Sequence, residues 1–207
     1  MTLPKWLEWS QQIQAIAQCG MAYTTNPFDR ERYEKLTHLA AEIMAVQTQS
    51  DAGEVLKIFS AQEGYATPKI DVRGVLFKEH KILLVRELMD GGRWTLPGGW
   101  VDVNDAPSVS VEREMREEAG VIVKAVKLLA VYDRNLHGHP YFPFHAYKLF
   151  FLCEGSGKST PDPLETSDPT YFGEEELPEL STPRVTEPEI RRMFEHHRHP
   201  EFATDLD

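Results

Sequence analysis

The chain has 207 residues, which suits one medium domain or a catalytic domain with a small appendage. Its composition, 41% hydrophobic and 27% charged, is that of a globular protein able to bury a sizeable core. The formal net charge of -11 argues against a binder of long nucleic acid, whose affinity comes from Lys and Arg contacts to phosphate; it leaves room for a nucleotide enzyme in which bound metal inverts the local charge.

Cys19 and Cys153 form no CxxC pair and read as free thiols. The opening MTLPKWLEWSQQ has no basic segment leading into an apolar run, and no stretch has the apolar length of a membrane span. Cytoplasm is the expected location.

Residues 1–64 read as a small helical domain. In the first helix Pro4 suits the first turn and Gly20 the end, with Trp6, Trp9, Ile13, Ile16 and Ala17 at helical spacing. Asn26-Pro27 caps and starts a second helix, whose face carries Tyr33, Leu36, Ala40, Ile43 and Val46. Two such helices bury little alone, so they must pack either on the rest of the chain or on a second copy. A short helix over Gly53 to Phe59 sits in the polar connection that follows.

Residues 65–207 read as the catalytic domain. Ile70, Val72, Val75 and Phe77, then Ile82 to Val85, form a hairpin turning at Glu79-His80, and Arg93 to Leu96 is a further strand. Gly98-Gly99 marks a tight turn. A helix capped by Asp105 runs to Ala119 and is stopped by Gly120. Strands follow at Val121 to Tyr132 and Ala146 to Cys153. Glu154 to Pro169 reads as a loop, Thr170 to Phe172 as a strand, and Thr186 to His197 as a last helix.

The segment GGWVDVNDAPSVSVEREMREEAGV carries the chemistry. On its helix Glu114, Glu117 and Glu118 stand at i, i+3 and i+4, so their carboxylates share a face. Like charges so close cost stability, and Arg113 offsets part of this through its i+4 partner Glu117. Val111, Met115 and Ala119 form the neighbouring apolar stripe that docks the helix. A docked carboxylate cluster suits a hard cation such as Mg²⁺ or Mn²⁺. A solvated acidic face is the alternative, and the double glycine before the helix, which lets the main chain approach closely, weighs against it.

This segment resembles the Nudix box, G-x5-E-x7-R-E-U-x-E-E-x-G-U with U apolar. Gly99, Arg113, Glu114, Met115, Glu117, Glu118, Gly120 and Val121 fall in register. Asp105 departs from the pattern by standing where the first Glu is expected. The resemblance implies an α+β fold: an αβα sandwich with a mixed sheet, preceded here by the helical domain. It implies Mg²⁺ or Mn²⁺ held by Glu114 and Glu118, with Glu117 sharing, the Gly98 carbonyl as a further ligand and Arg113 orienting a glutamate. It also implies in-line attack of water on phosphorus, assisted by a carboxylate base on a loop after the box; Glu165 is the expected base and Glu154 the alternative.

The substrate must be chosen outside the box. Arg134, His137, His139, Tyr141 and Lys148 interleave cations and aromatics, as a phosphate and a stacked base require; an ordinary strand pair with a polar loop is the other reading. The N-terminal KWLEWSQQIQAIAQCGMAYT and PFDRERYEKL, with KLFFLCEG and YFGEEELPELSTPR, resemble the Nudix subfamily that hydrolyses nucleoside diphosphates linked to X. That implies a homodimer through the helical extension and a small nucleotide substrate, CDP-choline first and ADP-ribose second. A non-catalytic Nudix-fold sensor is disfavoured by the intact box. An RNA-processing enzyme is disfavoured by the acidic charge.

Overall fold

The computed structural model describes residues 4–160 and 166–207. The chain divides into two compact units, one up to Lys69 together with Tyr141–His145, the other of Ile70–Pro140 and Ala146–Asp207. Among the described residues no helix is long and apolar enough to cross a membrane.

The helical unit holds α1 (Lys5–Tyr23), α2 (Pro27–Thr48) and α3 (Ala52–Ser60). Asn26 starts α2 as expected, its Oδ1 accepting from the Phe28 N–H at 2.9 Å, and Asp51 caps α3. The buried residues of α1 are Leu7, Ser10, Gln14 and Ala17; of the expected face Ala17 is buried and Trp6 and Ile13 pack on the core, but Trp9 and Ile16 are exposed. Small residues explain the difference. Ala40 and Ala41 of α2 let the helices approach until the Ser10 hydroxyl donates to the Ala40 carbonyl at 2.8 Å. Gly20 does not end α1. It lies inside the helix as a notch for the Tyr33 ring, which would stand 2.3 Å from a Cβ there. On α2, Val46 of the expected face is likewise exposed, and Ala40, Ala41, Met44 and Ala45 are buried.

The second unit has strands β1 (Lys69–Val75), β2 (Phe77–Lys78), β3 (Lys81–Glu87), β4 (Arg93–Thr95), β5 (Val121–Asp133), β6 (Ala146–Lys158), β7 (Thr166–Phe172) and β8 (Asp205–Leu206). Its helices are α4 (Pro107–Ala119) and α5 (Glu187–Arg198). One sheet runs β1-β6-β5-β8; in the other β3 pairs with β2, β4 and β7. The pairings of β3 with β2, β4 and β7 and of β5 with β6 are antiparallel and β5 pairs with β8 in parallel, so the arrangement is mixed, as expected. Glu79 and His80, both at positive φ, close the β2–β3 hairpin.

Alternation along β3 builds two cores. Ile82 and Leu84 join Ile190, Met193 and Phe194 of α5, while Leu83 and Val85 join Val111, Met115 and Ala119 of α4. A strand buried on both faces between two helix layers is the expected sandwich. Gly120, at φ 63°, stops α4 as expected. Asp105 does not cap it; Ala106 holds that position without a side-chain bond. The stretch expected to be a loop, Glu154 to Pro169, is largely strand: β6 continues to Lys158, because Gly155 and Gly157 still pair with Val123 and Ile122 of β5, and β7 already begins at Thr166.

Candidate active site

Residues 97–101 run along β1. The N–H groups of Val72 and Gly74 donate to the carbonyls of Gly99 and Pro97 at 2.9 and 2.8 Å, and the Val101 N–H donates to Ile70. Gly98, at φ +146°, lies so close that a Cβ would stand 2.0 Å from the Val72 oxygen. Only glycine fits there. The carbonyls on either side of Gly98 are thus spent on β1.

Helix α4 docks onto this turn through Val111, Met115 and Ala119, and Met115 fills the space that a side chain at Gly74 would need. That docking brings Glu118 to the turn, where its Oε2 accepts from the Gly98 N–H at 2.8 Å. Burial, with smaller contributions from the Glu114 and Glu87 charges, pushes the Glu118 carboxyl up to about 8 against the opposing pull of Gly98 and Arg73. Arg113 stands among the remaining carboxylates, 2.9 Å from Glu114, 3.2 Å from Glu117, 3.0 Å from Asp102 and 3.8 Å from Asp105. Among the described residues no three His, Cys, Asp or Glu side chains form a ready cage for a metal ion. The chemistry of the donors nevertheless fits a hard divalent cation: they are carboxylate oxygens on one helix face, and one of them is destabilised as an anion by burial and by like charge.

Beneath the turn lies a second charged group that the sequence did not reveal. Asp71 and Arg73 on β1 meet Lys148 on β6: Arg73 donates to Asp71 at 2.7 and 3.0 Å, and Lys148 Nζ donates to Asp71 at 2.6 Å. All three are buried. Burial opposes ionisation of Asp71, yet the two cations hold its carboxyl below the ordinary range. An Asp-x-Arg pair on one face of a strand otherwise rich in buried residues is the signal that was available. Glu87, at the end of β3, is buried as well, with Arg184 Nε 2.7 Å from its Oε2.

The expected substrate residues meet internal partners. Lys148 belongs to the buried cluster. Arg134 donates to the carbonyls of Pro140 and Pro183. The His139 ring lies 2.9 Å from Glu189 with its side chain fully buried. His137 stacks on Tyr132 and meets Asp207 at 2.9 Å. Tyr141 belongs to the helical unit, edge-on to Trp6 with ring centroids 4.9 Å apart. Glu165 lies outside the described residues, and Glu154 is an exposed β6 residue opposite Lys124.

Residues 67–196 match the NUDIX domain, and residues 4–59 match the UDP-X-like, N-terminal oligomerisation domain. A Bacillus subtilis protein provisionally named ADP-ribose pyrophosphatase YjhB is 41% identical over 98% of this chain and 97% of its own length. The ADP-ribose pyrophosphatase of Methanocaldococcus jannaschii is 30% identical over 56% of this chain and 69% of its own. The crystal structure of a UDP-X diphosphatase is similar over 98% of both chains, at 32% identity and a TM-score of 0.63. That of an ADP-ribose pyrophosphatase from Streptococcus suis covers 68% of this chain and 100% of its own, at 35% identity and a TM-score of 0.62.

Proposed function

We propose, from the premise that this chain belongs to the NUDIX family and is a pyrophosphohydrolase of it, that it cuts the diphosphate of a nucleoside diphosphate joined to a second group. ADP-ribose is the first substrate to test, giving AMP and ribose 5-phosphate. The names of the relatives move it ahead of CDP-choline, the first expectation from sequence. UDP-linked compounds enter through the similar UDP-X diphosphatase.

The observation that carries this reading is the docking of α4 on the glycine turn, with Glu118 on the Gly98 N–H and Glu114 close to Gly99, while Glu117 follows on the same helix and meets Arg113. In our reading these three carboxylates and the Gly98 carbonyl would hold Mg²⁺ or Mn²⁺. Such an ion supplies charge neutralisation on phosphate oxygens and makes water a stronger nucleophile. Arg113 orients Glu114 and Glu117, to which it is already bonded or paired. The Gly98 N–H fixes the Glu118 carboxylate, so the rotamer is set before substrate arrives. The test is a panel of ADP-ribose, CDP-choline, UDP-glucose and a dinucleoside polyphosphate with Mg²⁺, with Mn²⁺ and with chelator. Cleavage of ADP-ribose, CDP-choline or UDP-glucose to two monophosphate products that stops with chelator supports the reading; metal-independent turnover, or no cleavage of any of these three, defeats it.

The helical unit supports a second part of the proposal. Trp9, Ile16 and Tyr23 recur every two turns along α1 and are exposed, which favours burial against a second copy of the chain. Light scattering should report a homodimer for the native chain and monomers for Ile16→Glu. A monomeric native chain, or an unchanged mass in the variant, removes this interface.

A further inference from the structure

Arg184 spans two layers of the second unit. Its backbone is fixed by a turn, with the Arg184 and Val185 N–H groups both donating to the Ser181 carbonyl at 2.8 and 2.9 Å. Its own carbonyl accepts from Lys148 Nζ at 2.6 Å. Lys148 alternates with Leu149 along β6 and shares a strand face with Phe150, which belongs to the core under α5. The Arg184 guanidinium ends elsewhere. It meets Glu87, which continues the Leu83–Val85 face of β3, the face packed on α4. The residue therefore passes from the α5 layer to the α4 layer, where Glu118 sits.

The pair is asymmetric in exposure. The Glu87 side chain is 5% exposed, whereas that of Arg184 is 32% exposed. Glu87 is held further, its Oε1 accepting from the Met89 N–H at 2.9 Å. A solute can reach the cation but not the carboxylate. A guanidinium carries five N–H donors in a rigid fork, more than one carboxylate can take, and it matches the spacing of phosphate oxygens.

We propose that Arg184 grips a phosphate oxygen of the substrate's diphosphate at the rim of the glutamate site, and that Glu87 is a positioning residue which aims its guanidinium there. This rests on the pyrophosphohydrolase reading and names one of its substrate contacts. The rival account is that Arg184 only neutralises a buried carboxylate. The two accounts part in a double variant. Arg184→Gln leaves Glu87 buried without its counter-ion and should melt at a lower temperature, while Arg184→Gln with Glu87→Gln removes both charges and should recover the native melting temperature.

The probe is methylenediphosphonate, an uncleavable diphosphate, titrated calorimetrically with Mg²⁺ present. We expect its affinity to fall about tenfold or more in Arg184→Gln and to stay low in the double variant, as loss of a charge-assisted hydrogen bond requires. With the cleavable substrate KM should rise in both. Recovery of affinity together with melting temperature in the double variant would overturn the proposal, as would native affinity in Arg184→Gln or no binding to the native chain. Binding of the probe requires no turnover, so failure of the substrate panel and failure of this contact are read separately.

Discussion

The Asp71–Arg73–Lys148 cluster and the glutamate face of α4 both bury charge, and they reach opposite balances. In the first, two cations enclose one carboxylate, and their attraction outweighs burial, so Asp71 is held as an anion. In the second, burial and neighbouring carboxylates outweigh the Gly98 N–H and Arg73, so Glu118 is pushed toward its protonated form. A cluster whose charges satisfy one another inside the fold is part of the scaffold. A cluster left acid-rich on a docked helix is, in our proposal, arranged for a cation from solution. The two touch electrostatically through Arg73, so the scaffold sets the field in which the glutamates work.

The comparison can be broken first at Asp71. Asp71→Asn leaves Arg73 and Lys148 buried without their carboxylate, and should cost about 3–5 kcal/mol of unfolding free energy in denaturant titrations. A loss below 1 kcal/mol would mean that the cluster is not what holds β1 to β6. The next largest effect belongs to the other side. Glu118→Gln should lower kcat with little change in melting temperature, at a cost of about 3 kcal/mol in transition-state stabilisation, comparable to losing one oxyanion donor. Unchanged turnover would defeat the role given to this glutamate.

The smallest effect is on acid stability. Asp71 is lowered by Arg73 and Lys148, and Glu189 chiefly by the hydrogen bond from His139, each against the opposing cost of burial. A folded-state value below the unfolded one gives stability that is complete above the unfolded range, about 3.9–4.3, and is lost as pH falls through the lowered values. Melting temperature should therefore fall steeply below about pH 4, and the fall should be shallower in Asp71→Asn. An equal slope in both proteins would show that Asp71 does not titrate abnormally.

What the sequence disclosed follows the range of the interactions involved. The α4 glutamates, the Gly120 stop and the Glu79-His80 turn are local patterns, and each stands where its spacing put it. Gly20 lies beyond the reach of local patterns because its role is tertiary: the ring it accommodates belongs to the next helix. Apolar residues lie on more than one side of α1, so periodicity alone did not choose between Leu7 and Trp9 for the interior. The glycines of β6 look like a loop until β5 is placed beside them. β8 is two residues long and has no period to read. Interleaved cations and aromatics from Arg134 to Lys148 do not reveal which side chains turn inward; Lys148 does, with Phe150, and meets Asp71. Arg184 and Glu87 carry no mutual signal, since only the folded sheet brings them together.

One cluster is complete in itself, and the other is proposed as made for a cation. Titrating Mn²⁺ into the native chain and into Glu118→Gln, with melting temperatures of both measured in chelator, tests that directly. Saturable binding to the native chain, binding weakened about tenfold or more in the variant, and equal melting temperatures in chelator are expected. Equal Mn²⁺ affinity in the two proteins would contradict the proposal.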